Sequence, residues 1–349
     1  MDSAHSIQSA DSANTTLIGE TGFPFKPSED CIEGEQEIRK VLEEAETPEV
    51  KDMYNQSGEH LKVLQPKHFT TMVNERDPTS RPFIIGTGVY GVVMAGWDKR
   101  TSSRIVFKFQ LRSRNTHQDI IREASAQLLA SKVTDNVPKV LGVLMLREDL
   151  ETAGLLQQYS SLVLVTECVT AVEGQKFSTM SLGQFTKNIC NYDVEEKQMV
   201  LFFLELVTAL EKFAALNLVH NDLHPDNILV NINDKVIKPM IIDFGRARCL
   251  SSFDPPEALP WKIADLSYVA KHAETVGKKM RSRLADIGQD MMEHQEQYSR
   301  VTHAEFRENL EGLLGASQQT TMVSWIYLTI NSLCHDCDDL DAVISSKLQ

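Results

Sequence analysis

The chain has 349 residues, 42% of them hydrophobic, enough to bury a substantial core in one large two-lobed domain or two ordinary ones. Its formal charge of −14 and pI near 5.2 exclude bulk electrostatic attraction to nucleic acid or anionic lipid as an organising principle, and disfavour a very acidic substrate. The six cysteines are scattered, too few for a disulfide framework in a chain of this length, and point to a reducing compartment.

The first residues, MDSAHSIQSADSANTT, have neither a basic region nor an apolar one of the kind a secretory signal needs. No apolar run approaches the roughly 18 residues required to span a bilayer. The expectation is a protein of the cytoplasm or nucleus, with no nucleic acid and no membrane among its partners. Residues 1–34 are rich in Ser, Asp, Glu, Thr and Gly and read as a disordered tail. A helical extension, 35–79, follows. Its charged stretch from Glu35 to Glu46 has a thin apolar stripe of Ile38, Val41 and Leu42, and Pro48 is expected to stop it; it docks on the domain or lies free.

From Pro82 to Gln110 short β-branched runs broken by glycine predict a hairpin, FIIGTGVYGVVMAGW and then RIVFKFQL after the polar turn DKRTSS. QDIIREASAQLLAS reads as a helix, and LVLVTECV, 162–169, as a buried strand. In 194–218 Met199, Phe202, Phe203, Leu206, Val207, Leu210 and Phe213 recur at three- and four-residue spacing, one buried helical face. ILVNI and KPMIIDF flank the turn NDK as short strands, and from about Trp261 the chain is helical again. The prediction is an α+β, bilobal fold: a small antiparallel sheet with one helix over 80–170, a larger helical lobe over 171–349, and any active site between them.

Gly86-Thr87-Gly88-Val89-Tyr90-Gly91 places three glycines where a strand–turn–strand brings backbone N–H groups close to phosphate oxygens. A dinucleotide-binding loop would be followed directly by a helix, whereas VVMAGW reads as strand. Lys108 ends the run Ile105-Val106-Phe107 and either points back under the loop or is a surface lysine on an edge strand. Glu123, in the next helix, is a partner for it, with Asp119 as competitor. The most informative string is His220-Asn221-Asp222-Leu223-His224-Pro225-Asp226-Asn227, followed by Asp243-Phe244-Gly245. It supplies a carboxylate to orient a nucleophilic hydroxyl, plus an amide oxygen and a second carboxylate of the hard type that suits Mg²⁺ on nucleotide phosphates.

Over roughly residues 80–270 these motifs resemble the protein kinase superfamily. The resemblance implies ATP and Mg²⁺ as cofactors and a protein substrate. It implies that Gly86, Gly88 and Gly91 cover the phosphates, that Lys108 contacts them while paired with Glu123, that Asp222 is the catalytic base, and that Asn227 and Asp243 hold the metal. Thr166 resembles the gatekeeper, Glu167 to Val169 the hinge that meets adenine, and Val93, Val106 and Leu229 the residues enclosing its ring, although core packing would use these apolar positions equally. The compactness and divergence resemble those of kinases carried by large DNA viruses.

Four departures stand out. Asn221 replaces the arginine usual before the catalytic aspartate. His224 stands where protein Ser/Thr kinases carry a lysine near the γ-phosphate, a feature more like small-molecule and ABC1-type kinases. Val106 replaces a common alanine and narrows the adenine slot. Asp265 follows Asp243 by only 22 residues, in a setting, ADLSYVA, that resembles the helix anchoring the catalytic loop. The activation segment is therefore short, Pro255-Pro256-Glu257 is at most a remnant of its closing element, and activation is expected from folding alone or from a partner at the Glu123 helix. Arg246 and Arg248 are candidates to receive an acidic group, and Cys334-His335-Asp336-Cys337 is a weak metal candidate. Three readings follow: a Ser/Thr protein kinase, a small-molecule or atypical kinase, and a pseudokinase scaffold.

Overall fold

A computed structural model of the chain describes residues 31–65, 68–71, 84–145, 158–169, 177–233, 236–253, 255–296 and 303–314. The segment read as tail falls outside these up to residue 30, and Cys334 and Cys337 also lie outside them. No described helix is long and apolar enough to cross a membrane.

Two helices open the described chain, α1 (Cys31–Ala45) and α2 (Pro48–Ser57). Helix α1 thus begins inside the segment read as tail. Pro48 does more than end it: with Thr47 capping the Val50 N–H, this proline sits in the first turn of α2, where its fixed φ suits a helix start and no N–H is missed. The first lobe is a six-stranded antiparallel sheet of β1 (Phe69–Thr71), β2 (Ile84–Gly88), β3 (Gly91–Asp98), β4 (Ser103–Gln110), β5 (Val140–Met145) and β6 (Leu162–Glu167). Its order runs β3-β4-β6-β5, with β1 and β2 both pairing to β3. Helix α3 (His117–Val133) follows β4 and starts with a reciprocal cap between Thr116 and Asp119.

The strand register sorts the side chains. Val92, Met94, Ile105, Phe107 and Phe109 pack into one core with Phe69 and Val165. Their alternates Val93, Val106 and Lys108 share the opposite face, because directly paired residues of antiparallel strands point the same way, and Val93 pairs Lys108 while Val106 pairs Thr166. That face looks toward the second lobe.

The extension is woven into this lobe. Ile38, Leu42 and Ala45 of α1 and Val50 and Tyr54 of α2 pack with Ile120, Ile121, Ala124 and Leu128 of α3. Val63 then bridges Val143 on β5, with Val143 N–H donating to the Lys62 carbonyl. Gly142, at φ +147°, makes this approach possible, since a Cβ there would lie 2.2 Å from the Lys62 oxygen.

The second lobe contains β7 (Phe177–Ser181), α4 (Leu182–Lys187), α5 (Glu196–Ala215), β8 (Leu218–Val219), β9 (Ile228–Asn233), β10 (Val236–Ile241), β11 (Arg248–Cys249), α6 (Pro255–Met280), α7 (Leu284–Glu296) and α8 (His303–Leu314). All seven residues expected on the buried face of α5 are buried there. The strands form a β10-β9-β7 sheet and a β11-β8 pair. Met53 of α2 and Ala126, Leu129 and Ala130 of α3 enter this lobe's core, so both helices span the boundary between the lobes. Burial of Met53 alone stabilises that join by about 1.5–3 kcal/mol.

Candidate active site

Lys108 is the junction of the cleft. Its Nζ donates to Glu123 Oε1 at 2.5 Å and to Asp243 Oδ1 at 2.7 Å, while Gln110 Nε2 donates to the other oxygen of Glu123 at 2.7 Å. The Asp119 carboxylate accepts from the N–H of the cap residue Thr116 and pairs with Arg122, which leaves Glu123, one turn further on, as the lysine's partner. Burial works against charge on Lys108, but the Glu123 and Asp243 carboxylates outweigh it and hold the ammonium above the ordinary amine range. Burial pushes Glu123 above the usual carboxylate range despite the pull of Lys108. For Asp243 burial is overcome by the Lys108 charge and by the Gly245 N–H, and its carboxyl lies below its ordinary value.

Asp243 adopts a left-handed backbone, φ +66°, which turns the chain sharply before a short 3₁₀ turn at Phe244–Arg246. Phe244 is buried against Phe213 and His220. His220 Nε2 lies 3.0 Å from the Ile242 carbonyl, and burial lowers its pKa to about 4, so the ring is neutral and donates to that oxygen. The loop carrying Asp222 hangs from α6: Asp265 accepts from His220 N–H at 2.6 Å and from Asn221 N–H at 2.8 Å. Burial raises the Asp265 carboxyl to about 7, against those two backbone bonds. Asn221 is itself left-handed, φ +60°. Pro255-Pro256-Glu257, read as at most a remnant of the activation segment's closing element, forms the first turn of α6. Helix α6 therefore starts six residues before the expected Trp261.

Asn227 Nδ2 donates to the Asp222 carbonyl at 2.9 Å, so its amide oxygen is the atom left to accept or to ligate. Among the described residues no three His, Cys, Asp or Glu side chains are arranged to hold a metal by themselves. A cation at Asn227 and Asp243 would thus complete its shell with phosphate oxygens, which is how Mg²⁺ commonly binds beside nucleotides. The donor set fits such an ion.

The predicted glycines divide by environment. A Cβ on Gly91 would lie 1.9 Å from the Phe109 carbonyl, so this glycine is required by the close packing of β3 on β4. Gly88 faces open space, and the nearest atom to a Cβ on Gly86 is Val93 Cβ at 3.9 Å. Leu229 lies on β9, half-buried, and Thr166 is buried on β6. In the stretch after it, the N–H groups of Glu167 and Cys168 donate to the carbonyls of Lys139 and Arg104, whereas that of Val169 has no backbone acceptor among the described residues. His224 is exposed and its Nδ1 accepts from Asp226 N–H. Arg246 lies 3.8 Å from Asp222 and 3.4 Å from the Tyr90 hydroxyl, joining the glycine-loop tip to the loop below.

A model of the protein kinase domain matches residues 80–287, more than half of the chain. The chain belongs to the protein kinase family. This kinase is 28% identical over 207 residues to mitogen-activated protein kinase 12 of Oryza sativa subsp. japonica, covering 58% of this chain and 31% of that protein. It is 26% identical over 238 residues to the probable serine/threonine-protein kinase fhkB of Dictyostelium discoideum, covering 66% and 18%. With the serine/threonine-protein kinase ATG1 of Pichia angusta it shares 27% over 214 residues, covering 55% and 26%. The chain spans less than half the length of the curated relatives it matches. Its antiparallel sheet lobe, with α3 and the added helices α1 and α2, and its helical lobe are those of the kinase fold, a family that uses ATP and a divalent metal.

Sequence reasoning gave no role to Gln110, to His220, which it quoted only as part of the catalytic string, or to α2, which it read only as part of a helical extension. Gln110 was within reach, two residues after Lys108 and hence on the same strand face. The role of α2 carried no such signal, because it depends on contacts with residues about 200 positions away.

Proposed function

We propose that this kinase transfers the γ-phosphate of ATP to a serine or threonine hydroxyl of protein substrates. The observation that carries the reading is Lys108 bonded at once to Glu123 on α3 and to Asp243 across the cleft. Both lobes are thereby set with the phosphate-binding lysine and the metal-binding carboxylate in one place, on elements packed too tightly to drift apart.

Each residue then has a task. Gly86 and Gly88 leave room above the cleft for phosphate oxygens, Lys108 neutralises them, and Glu123 with Gln110 keeps the lysine aimed. Val93, Val106 and Leu229 enclose the adenine, beside Thr166 and with the Val169 N–H as donor. Asn227 and Asp243 hold Mg²⁺, which supplies charge neutralisation at the phosphates. Asp222 orients the acceptor hydroxyl and takes its proton, on a loop held by Asp265. His224 stands two residues further on, exposed at the mouth, for the γ-phosphate. A scaffold without activity would have no use for this set intact.

A second reading has one observation in its favour. Only residues 244–254 separate Asp243 from α6, which leaves little platform for a peptide, and a small hydroxylated acceptor needs none. One experiment separates the two: incubation with γ-labelled ATP and Mg²⁺, with generic protein acceptors and with small hydroxylated acceptors in parallel. Label on protein serine or threonine is expected. Label confined to small acceptors moves the function to the second reading, and no label anywhere overturns both.

A further inference from the structure

Helix α2 packs on the helix that carries Glu123 and bonds to the strand that follows the Asp243 turn, and through that strand it reaches the catalytic loop. Val50 and Tyr54 pack on α3, the helix carrying Glu123. Glu49 Oε1 accepts from the Cys249 N–H at 2.8 Å, on β11 of the activation segment. Asp52 Oδ2 lies 3.2 Å from the Cys249 sulfur, and Gln56 donates to the Ser251 hydroxyl at 3.1 Å. Strand β11 pairs with β8, Arg248 opposite Val219 and Cys249 opposite Leu218, and Leu250 N–H donates to the Asn217 carbonyl. Strand β8 runs directly into His220-Asn221-Asp222. One helix therefore connects the Glu123 helix, the activation segment and the catalytic loop.

We propose that α2 is an activating clamp built into the chain, and that Ser251 is a modification site at which phosphate opens it. The proposal rests on the phosphotransferase reading above. The clamp covers the face of α3 formed by Ile120, Ile121, Ala124 and Leu128, and its Glu49 holds the activation strand through the Cys249 N–H. Asn221 carries no guanidinium with which to hold a phosphate on this segment instead. Glu49, Asp52 and Gln56 are positioning residues, acting through β11.

The sign of the switch comes from the surroundings of Ser251. The residue is exposed on a turn, and its hydroxyl meets Gln56, the Cys249 sulfur and the Asp52 carboxylate. A hydroxyl suits those neighbours because it donates to Asp52 and accepts from Gln56. A phosphate has no proton for Asp52 and sets a dianion beside it and near Glu49, an arrangement that like-charge repulsion breaks. In the modifying step the Ser251 oxygen bonds the γ-phosphorus of ATP, the bond from that phosphorus to the β–γ bridging oxygen breaks, ADP leaves, and the hydroxyl proton passes to solvent. The donor enzyme is a second copy of this chain or another kinase. Activation-segment phosphate here switches the enzyme off.

The test uses the full chain and two readouts. Steady-state phosphotransfer is measured for wild type, Ser251→Glu, Ser252→Glu and the double variant Ser251→Glu/Asp52→Lys, and amide hydrogen exchange is followed at Cys249. Ser251→Glu should lower kcat by about tenfold or more with the KM for ATP little changed, and speed exchange at Cys249. Ser252→Glu, one residue along and also exposed, should match wild type, and Asp52→Lys should restore the Ser251→Glu enzyme by pairing with the added charge. Full turnover and slow exchange in Ser251→Glu, or failure of Asp52→Lys to restore either, overturns the clamp. If Ser251→Glu does not fold, Glu49→Ala reads the same contact and should speed exchange at Cys249; unchanged exchange there sinks the idea. A wild-type chain with no phosphotransfer sinks the activity reading, and exchange then judges the clamp independently.

Discussion

Removing the carboxylate of Asp265 should loosen the catalytic loop while leaving the lobes folded. In the wild type this side chain accepts two backbone N–H bonds, from His220 at 2.6 Å and Asn221 at 2.8 Å, in a site almost closed to water. Each such bond to a charged group is worth about 1.5–3 kcal/mol, so Asp265→Ala forfeits about 3–6 kcal/mol gross. Relief from holding a carboxylate out of water returns part of this, leaving a net loss of about 2–4 kcal/mol. For a domain of this size that lowers Tm by on the order of 5–15 °C. The functional loss should exceed the thermal one. Asn221 sits at φ +60°, a conformation that costs about 1–3 kcal/mol and persists because Asp265 holds it. Once released, Asn221 relaxes, Asp222 shifts with it, and kcat should fall by about 10²-fold even well below the new Tm. Asp265→Asn keeps one acceptor and presents an amide N–H₂ to the second N–H, so it should fall between wild type and alanine. Scanning calorimetry and a steady-state kinase assay at 20 °C decide it. An Asp265→Ala protein that melts with the wild type and turns over normally would refute the anchoring argument.

Asp222→Asn and Asp243→Asn should each reduce phosphotransfer by at least about 10²-fold with Tm nearly unchanged, as measured by label transfer and melting; near-full activity in a folded Asp222→Asn protein would remove its assignment as base. Mg²⁺–ATP should raise Tm by linkage, and Lys108→Ala should diminish that rise; an undiminished shift would mean that nucleotide binds without the lysine. Two buried groups on the catalytic loop should pull stability in opposite directions with pH. His220, lowered to about 4, favours the folded state above its unfolded value near 6.5, and that contribution is lost as pH falls from there to about 4. Asp265, raised to about 7, contributes most below its unfolded value near 4, and its contribution is lost as pH rises through 7. Each amounts to something on the order of 3 kcal/mol, so they nearly offset one another in the wild type. Denaturant titrations of His220→Phe should show stability falling from pH 4 to 7, and those of Asp265→Asn should show it falling from pH 6.5 to 4; parallel profiles in the two variants would exclude the opposition.

The family and most of the site were legible in the sequence because their signals are local. The hairpin of β2 and β3 follows from alternation around glycine, the buried face of α5 from a three-and-four spacing, and Asp222 with Asn227 from one loop, five positions apart, across which the Asn227 amide donates to the Asp222 carbonyl. Short-range periodicity and turn chemistry determine such features before any tertiary contact forms. What the sequence left open was partner choice. Lys108 had two acidic candidates, and the decision for Glu123 came from the Asp119 carboxylate being spent on the Thr116 N–H and on Arg122, and from Asp243 arriving at the lysine from 135 positions away. Pro48 read as a stop because a proline that ends one helix and a proline that begins the next have the same local signature. Only packing distinguishes them: Val50, Met53 and Tyr54 are buried by α3 and by both lobes' cores, and Glu49 finds its acceptor role on a strand 200 residues later. Contacts at such separations have no periodicity to betray them, since each depends on the whole chain having already brought the two segments together.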